Sequence, residues 1–115
     1  MDERPTIQVI EMPEFVSTAR KLFNDTERSS LLAHFASRPD DGKVIPGTGG
    51  LRKLRWASKG KGKRGGARVI YFFHSNRGKV YLFTAYGKNQ REDLSPKEKS
   101  LWKNAVKLLT ELAKE

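Results

Sequence analysis

Eight of the seventeen residues from Arg52 to Arg68 are lysine or arginine. Residues 42–91 hold thirteen such cations and no aspartate or glutamate. The other 65 residues carry 10 basic and 13 acidic side chains. The net charge of +10 on this 115-residue chain is therefore a +13 block set in a −3 scaffold. A charge kept only for solubility would be spread and mixed in sign. Fifty residues without a carboxylate point instead to a polyanionic partner, whose phosphates lysine and arginine neutralise. An anionic membrane would ask for a basic amphipathic helix, whereas this block reads as strands and a glycine-rich loop.

Cations on strands can also do chemistry. RNA carries its own nucleophile, the 2′-OH, and cleavage needs that hydroxyl held in line with the phosphorus. Arginine and lysine can then stabilise the charge growing on the phosphate oxygens and the leaving group. A lysine among crowded like charges could move a proton. Other chemistries lack their parts. With no cysteine there is no disulfide framework, thiolate zinc site or cysteine nucleophile, which fits a reducing cytoplasm. The two histidines, His34 and His74, have no carboxylate beside them in sequence, so a serine–histidine–acid triad has no support. Asp40-Asp41 and Glu92-Asp93 are isolated pairs near turns, so no metal is expected. Gly47 to Lys53 is glycine-rich but lacks the Gly-Lys-Ser/Thr ending and the following helix of a phosphate-binding loop.

Alternation on the strands sorts the cations. In Leu51–Ala57, Leu54 and Trp56 form the core set, leaving Lys53 and Arg55 on the opposite, open face. The run Ala67–His74 is apolar on both faces, as a central strand is, so Arg68 at its start needs a partner or a ligand. Tyr86 offers a ring to stack on a splayed base, though core packing is the commoner fate of a strand aromatic.

The elements that must position these residues follow from periodicity. The length fits one domain, residues 1–115. Thr6–Ile10 reads as a short strand. Phe15, Val16, Ala19, Leu22 and Phe23 follow Pro13 at helical spacing, and Leu31, Leu32, Phe35 and Ala36 mark a second helix ending before Pro39, so a helical hairpin is expected. Leu51–Ala57, Ala67–His74 and Val80–Tyr86 then form an antiparallel meander, with a turn at Asn76–Lys79. Ser58–Gly66, four glycines and four cations, reads as an exposed mobile loop. Ser95-Pro96-Lys97-Glu98 is a capping box opening an amphipathic helix whose apolar stripe is Leu101, Trp102, Ala105, Leu108, Leu109 and Leu112. The expected class is α+β: a small twisted, mainly antiparallel sheet packed with an N-terminal helical hairpin and a C-terminal helix. No run is long and apolar enough to span a membrane, and Met1–Pro5 lacks a signal-peptide pattern.

Three segments together, Val44–Trp56, Lys59–Tyr71 and Tyr86–Asn89 followed by Asp93-Leu94, resemble the HigB branch of the RelE toxin superfamily. That resemblance implies a compact sheet flanked by helices and a toxin of a type II toxin–antitoxin module. It implies an endoribonuclease that cuts mRNA in the ribosomal A site, inhibiting translation in the cytoplasm without metal or organic cofactor. It also implies a cognate antitoxin, with operator DNA bound only through the toxin–antitoxin complex. The resemblance assigns catalytic work to Arg68, Lys88, Lys53 and Arg55. It assigns RNA contact to the basic loop Lys59, Lys61, Lys63 and Arg64, and to Asn89 beside Lys88. Relatives place a tyrosine or histidine near the C-terminus as acid or base; after Lys88 this chain has neither. Proton transfer is thus open among Lys53, Lys88 and a group of the RNA. Two rivals share the basic block: a non-catalytic RNA- or ribosome-binding protein, and a toxin of the same superfamily that targets DNA gyrase.

Overall fold

The computed structural model describes residues 6–60, 62–91 and 93–113. A short strand β1 (Gln8–Glu11) leads into helices α1 (Pro13–Leu22) and α2 (Asp25–Ser37). Next come β2 (Lys43–Val44), β3 (Leu51–Trp56), a single helical turn α3 (Gly62–Gly65), β4 (Ala67–His74), β5 (Lys79–Gly87) and the long helix α4 (Pro96–Leu112). One sheet contains all five strands in the order β1-β5-β4-β3-β2. β3, β4 and β5 form the expected antiparallel meander, β2 adds antiparallel at one edge, and β1 pairs parallel with β5 at the other. The class is α+β, as the sequence pattern indicates.

Local chemistry explains the boundaries. Pro13 occupies the first turn of α1, where its missing N–H costs nothing. Asn24 caps α2 by accepting from the Glu27 N–H, while Glu27 accepts from the Asn24 N–H. Ser95 and Glu98 form the same reciprocal box on α4. Gly78 closes the β4–β5 turn with a φ of 63°, a left-handed conformation glycine adopts without penalty.

The sheet is covered on both faces. The helical hairpin buries Phe15, Ala19, Leu31 and Phe35 against Leu54, Trp56, Val69, Tyr71, Val80, Leu82 and Ala85. On the opposite face α4 lays Trp102, Ala105, Val106 and Leu109 against Leu51, Ile70, Phe72 and Phe83. Phe83 and Trp102 stack at 5.0 Å. Burying one such side chain contributes about 1.5–3 kcal/mol, so each layer is worth many times any single polar contact.

Two details differ from the sequence pattern. The stripe of α4 is only partly inward: Leu101, Leu108 and Leu112 are more than half exposed, and Val106 is the buried residue of the helix. The Ser58–Gly66 segment is anchored at its ends. Ser58 is buried and its hydroxyl donates to the Leu22 carbonyl, and Gly66 has no room for a Cβ, which would collide with the Trp56 carbonyl.

Candidate active site

Arg55, Arg68 and Tyr86 occupy one rung across the three central strands: Arg55 pairs with Arg68, and Arg68 with Tyr86. Their side chains share the α4 face of the sheet. Lys53 lies two residues along β3 on the same face, opposite Ile70. Tyr86 reaches this rung through a bulge. Ile70 pairs with Thr84 but Tyr71 with Leu82, so Phe83 is an extra residue in β5. Without it, strict alternation from Leu82 would turn Tyr86 toward the helical hairpin.

Burial grades the rung from exposed to enclosed. Arg55 is exposed, Arg68 is 6% exposed and Tyr86 is 3% exposed. The Arg68 guanidinium donates to the Ala67 carbonyl at 3.2 Å, which ties it to the strand start. Arg91 closes the site from above, its guanidinium carbon 4.6 Å from the Tyr86 ring centroid. Glu98 in the first turn of α4 holds Arg91 by an ion pair. That hydrogen bond pushes the Glu98 carboxyl below the usual carboxylate range and raises Arg91 further. Burial pushes the Tyr86 phenol up to about 12, with Asp93 adding to the rise and Arg91 and Arg68 opposing it. The phenol therefore stays protonated near neutral pH.

Asp93 sits between Lys53, at 3.9 Å, and Lys99, at 3.8 Å. One carboxylate thus holds Lys53 near the rung without neutralising the cluster of Lys53, Arg55, Arg68 and Arg91. A groove of about 350 Å³ along the outer edge of β3 is lined by Lys53 and Arg55 together with Asp41, Lys43 and Trp56.

The other residues singled out in the sequence fall in two places. Lys88 is exposed just beyond the rung, its backbone N–H bonded to the Gly66 carbonyl. Lys59 and Asn89 line a separate polar pocket at the ends of β4 and β5. Lys61 and the side chains of Lys63 and Arg64 lie outside the described residues, as does Glu92. Tyr86 is too enclosed to stack on a base here: one side of its ring faces Arg91 and the rest is core. His74 stands at the far end of β4, six residues or about 20 Å from Arg68. His34 pairs with Asp41 at 2.9 Å and packs on Trp56, on the helical-hairpin side. Neither histidine joins the rung.

Sequence reasoning missed Arg91 and Glu98 as parts of the site. The signal was present in the capping box: a cation seven residues before Glu98, just ahead of the capped turn, meets the same carboxylate that caps the helix.

The family model described as the RelE toxin of the RelE/RelB toxin–antitoxin system matches residues 13–115, which contain every residue of the rung and its surroundings. The chain belongs to the RelE toxin family. It is a type II toxin by that membership, and its fold agrees. A structure of an E. coli RelE toxin mutant in the free state superposes with a TM-score of 0.55 at 16% sequence identity, covering 76% of this chain and 90% of that one. As in other toxins of a RelE-type system, an antitoxin is the expected counterpart. No helix among the described residues of this RelE-family chain is long and apolar enough to cross a membrane.

Proposed function

We propose that this RelE-family toxin is a ribosome-dependent endoribonuclease of the HigB branch that cuts mRNA in the A site and so stops translation. The cytoplasm is its place of action, and a cognate antitoxin keeps it inactive and carries the complex to operator DNA. The observation that supports this reading is the Arg55–Arg68–Tyr86 rung with Lys53 and Arg91 beside it. It is a cluster of donors with no histidine in it.

The chemistry assigned to the rung uses the substrate's own nucleophile. The 2′-OH attacks the adjacent phosphorus, the P–O5′ bond breaks, and a cyclic phosphate forms on the upstream fragment. Negative charge grows on the non-bridging oxygens, where the buried Arg68 and the neighbouring Arg55 are placed to donate. A guanidinium held in a partly dry site is worth far more there than in water, because fixed donors need no reorganisation as charge develops. Lys53 or Lys88, or an RNA group, takes and returns the proton. The protonated Tyr86 phenol serves as a hydrogen-bond donor and not as a base. Charge stabilisation is assigned to these side chains, so no metal enters the reading.

Inducible expression followed by mapping of RNA 5′ ends tests the proposal. New 5′ ends confined to translated codons, absent when initiation is blocked, are expected. Growth arrest with intact mRNA and DNA damage would replace it with gyrase poisoning. Salt-sensitive ribosome binding without new ends would replace it with a non-catalytic binder.

A further inference from the structure

Beyond the rung, where β4 begins and β5 ends, lies a second concavity of about 190 Å³, lined by Lys21, Leu22, Ser58, Lys59, Gly87 and Gln90 among others. At ~30 Å³ per water this holds about six waters, the bulk of one planar ring. Ala67 and Gly87 pair immediately beyond Arg68 and Tyr86, so the pocket begins one residue past the reactive rung. Lys21 and Leu22 come from the end of α1, so the pocket lies on the helical-hairpin side of the sheet end, and RNA bound at the rung would have to pass over that end to enter it.

The loops that line the pocket are pinned by hydrogen bonds. Gln90 is locked at two points: its backbone N–H donates to the Gly87 carbonyl at 3.0 Å, and its side-chain Oε1 accepts from the Gly87 N–H at 3.0 Å. The second bond fixes which way the carboxamide points, so its NH₂ group faces away from the strand. The opposite wall is equally fixed. Ser58 is tied to Leu22, and Gly60 donates to the Glu27 carboxylate at 3.3 Å. Lys59 between them is held at a φ of 50°, a conformation non-glycine residues avoid unless surroundings impose it. Gly66 and Gly87 leave the floor bare of side chains; a Cβ on Gly87 would sit 2.7 Å from the Asn89 side-chain oxygen. Among the described residues, no carboxylate lines the pocket.

We propose that this pocket is a nucleobase subsite, in which the Gln90 carboxamide NH₂ and the Lys59 ammonium read the base next to the cut. Both groups only donate. They match the carbonyl-rich edges of guanine (O6 and N7) and uracil (O4) better than the amino-bearing edges of cytosine and adenine. The proposal rests on the endoribonuclease reading for its biological use, but the pocket's binding chemistry is testable without it.

Gln90→Glu is the decisive variant. A carboxylate oxygen still accepts from the Gly87 N–H, so the lock survives, while the outward donor becomes an acceptor. RNA 5′ ends would be mapped for wild type and Gln90→Glu. Wild type is expected to favour G or U at one fixed position beside the cut. The variant is expected to lose that preference toward C or A by roughly threefold to tenfold, the worth of one hydrogen bond. In parallel, the Arg68→Ala protein would be titrated with GMP, UMP, CMP and AMP while the Gln90 side-chain amide signals are followed by NMR. GMP and UMP should move them more than CMP and AMP. Unmoved signals, or equal movement by all four, overturn the subsite whatever the cleavage assay shows. Identical base preferences in wild type and Gln90→Glu overturn its reading role. Selective nucleotide shifts with no cleavage at all would leave the subsite standing and sink the endoribonuclease proposal instead.

Discussion

Arg68 and Tyr86 face the same side of the sheet as direct ladder partners because β5 carries one extra residue at Phe83. That bulge sets a buried cation beside a buried phenol, and each has a separate predicted function. Arg68→Ala is expected to lower cleavage by about 10²–10³-fold, the usual effect of losing one preorganised donor to a developing oxyanion. Circular dichroism should show the fold retained. Undiminished RNA cutting in a folded Arg68→Ala protein would remove Arg68 from the site.

Tyr86→Phe separates packing from chemistry. The ring stays, so the contact with Arg91 and the burial against Leu94 and Val106 stay with it. Only the phenol hydroxyl is lost. With its pKa near 12 that hydroxyl is a donor across the whole working range, so the variant should lower the cleavage rate without changing the shape of the pH–rate profile. A profile that loses a limb on mutation would mean that Tyr86 titrates during the reaction.

The contrast between those two residues shows what was legible in the sequence. Arg68 could be singled out because a cation opening an apolar central strand is costly unless it has a task. The orientation of Tyr86 could not, because a period-two pattern cannot reveal a bulge that shifts the register by one residue. Helix starts were readable from Pro13 and the Ser95–Glu98 box, since caps are local chemistry. The inward face of α4 was not. Leu108 and Val106 are both apolar, and only the position of the sheet beneath the helix decides which is buried. Arg91 escaped notice for a related reason: its partner Glu98 is assigned to helix capping, and one carboxylate serves both.

Glu98 links that cap to acid stability. Its folded-state pKa lies below the ordinary value of 4.5, first because of the Arg91 hydrogen bond. Glu27 is lowered too, chiefly by the Lys59 backbone N–H. A depressed carboxyl binds fewer protons folded than unfolded, so its stabilisation is complete above the unfolded pKa and is lost as pH falls through the folded one. Melting temperature should therefore drop as pH falls below about 4.5, and Glu98→Gln should flatten that acid limb. Because both groups are partly solvated, the effect is modest. An unchanged acid limb in Glu98→Gln would show that the ion pair with Arg91 adds nothing to folding.

Gly42 and Tyr71 make a tight pair beneath the edge strand β2. The Gly42 N–H donates to the Tyr71 hydroxyl at 2.8 Å, and a Cβ on Gly42 would stand 2.6 Å from that oxygen. Tyr71→Phe should cost about 1–3 kcal/mol, because it strands a buried donor. Gly42→Ala should cost about as much by overpacking. Denaturant midpoints measure both. Combining the two should cost nearly their sum, because the ring carbons Cε1 and Cζ, 2.7 and 3.0 Å from the added methyl group, stay in place when the hydroxyl is removed.

Helix α4 offers the last comparison. Val106 is 3% exposed against Ile70 and Phe83, whereas Leu108 is 58% exposed although it is the larger side chain. Removing a buried β-branched side chain loses transfer energy and leaves a cavity, so Val106→Ala should destabilise by about 1–3 kcal/mol. Leu108→Ala loses little packing and gains helix propensity, so its effect should stay within about 0.5 kcal/mol. Guanidinium melts of the isolated chain decide the matter. A large loss at Leu108 would mean that this face of α4 is covered in solution, by a second copy or by another part of the chain.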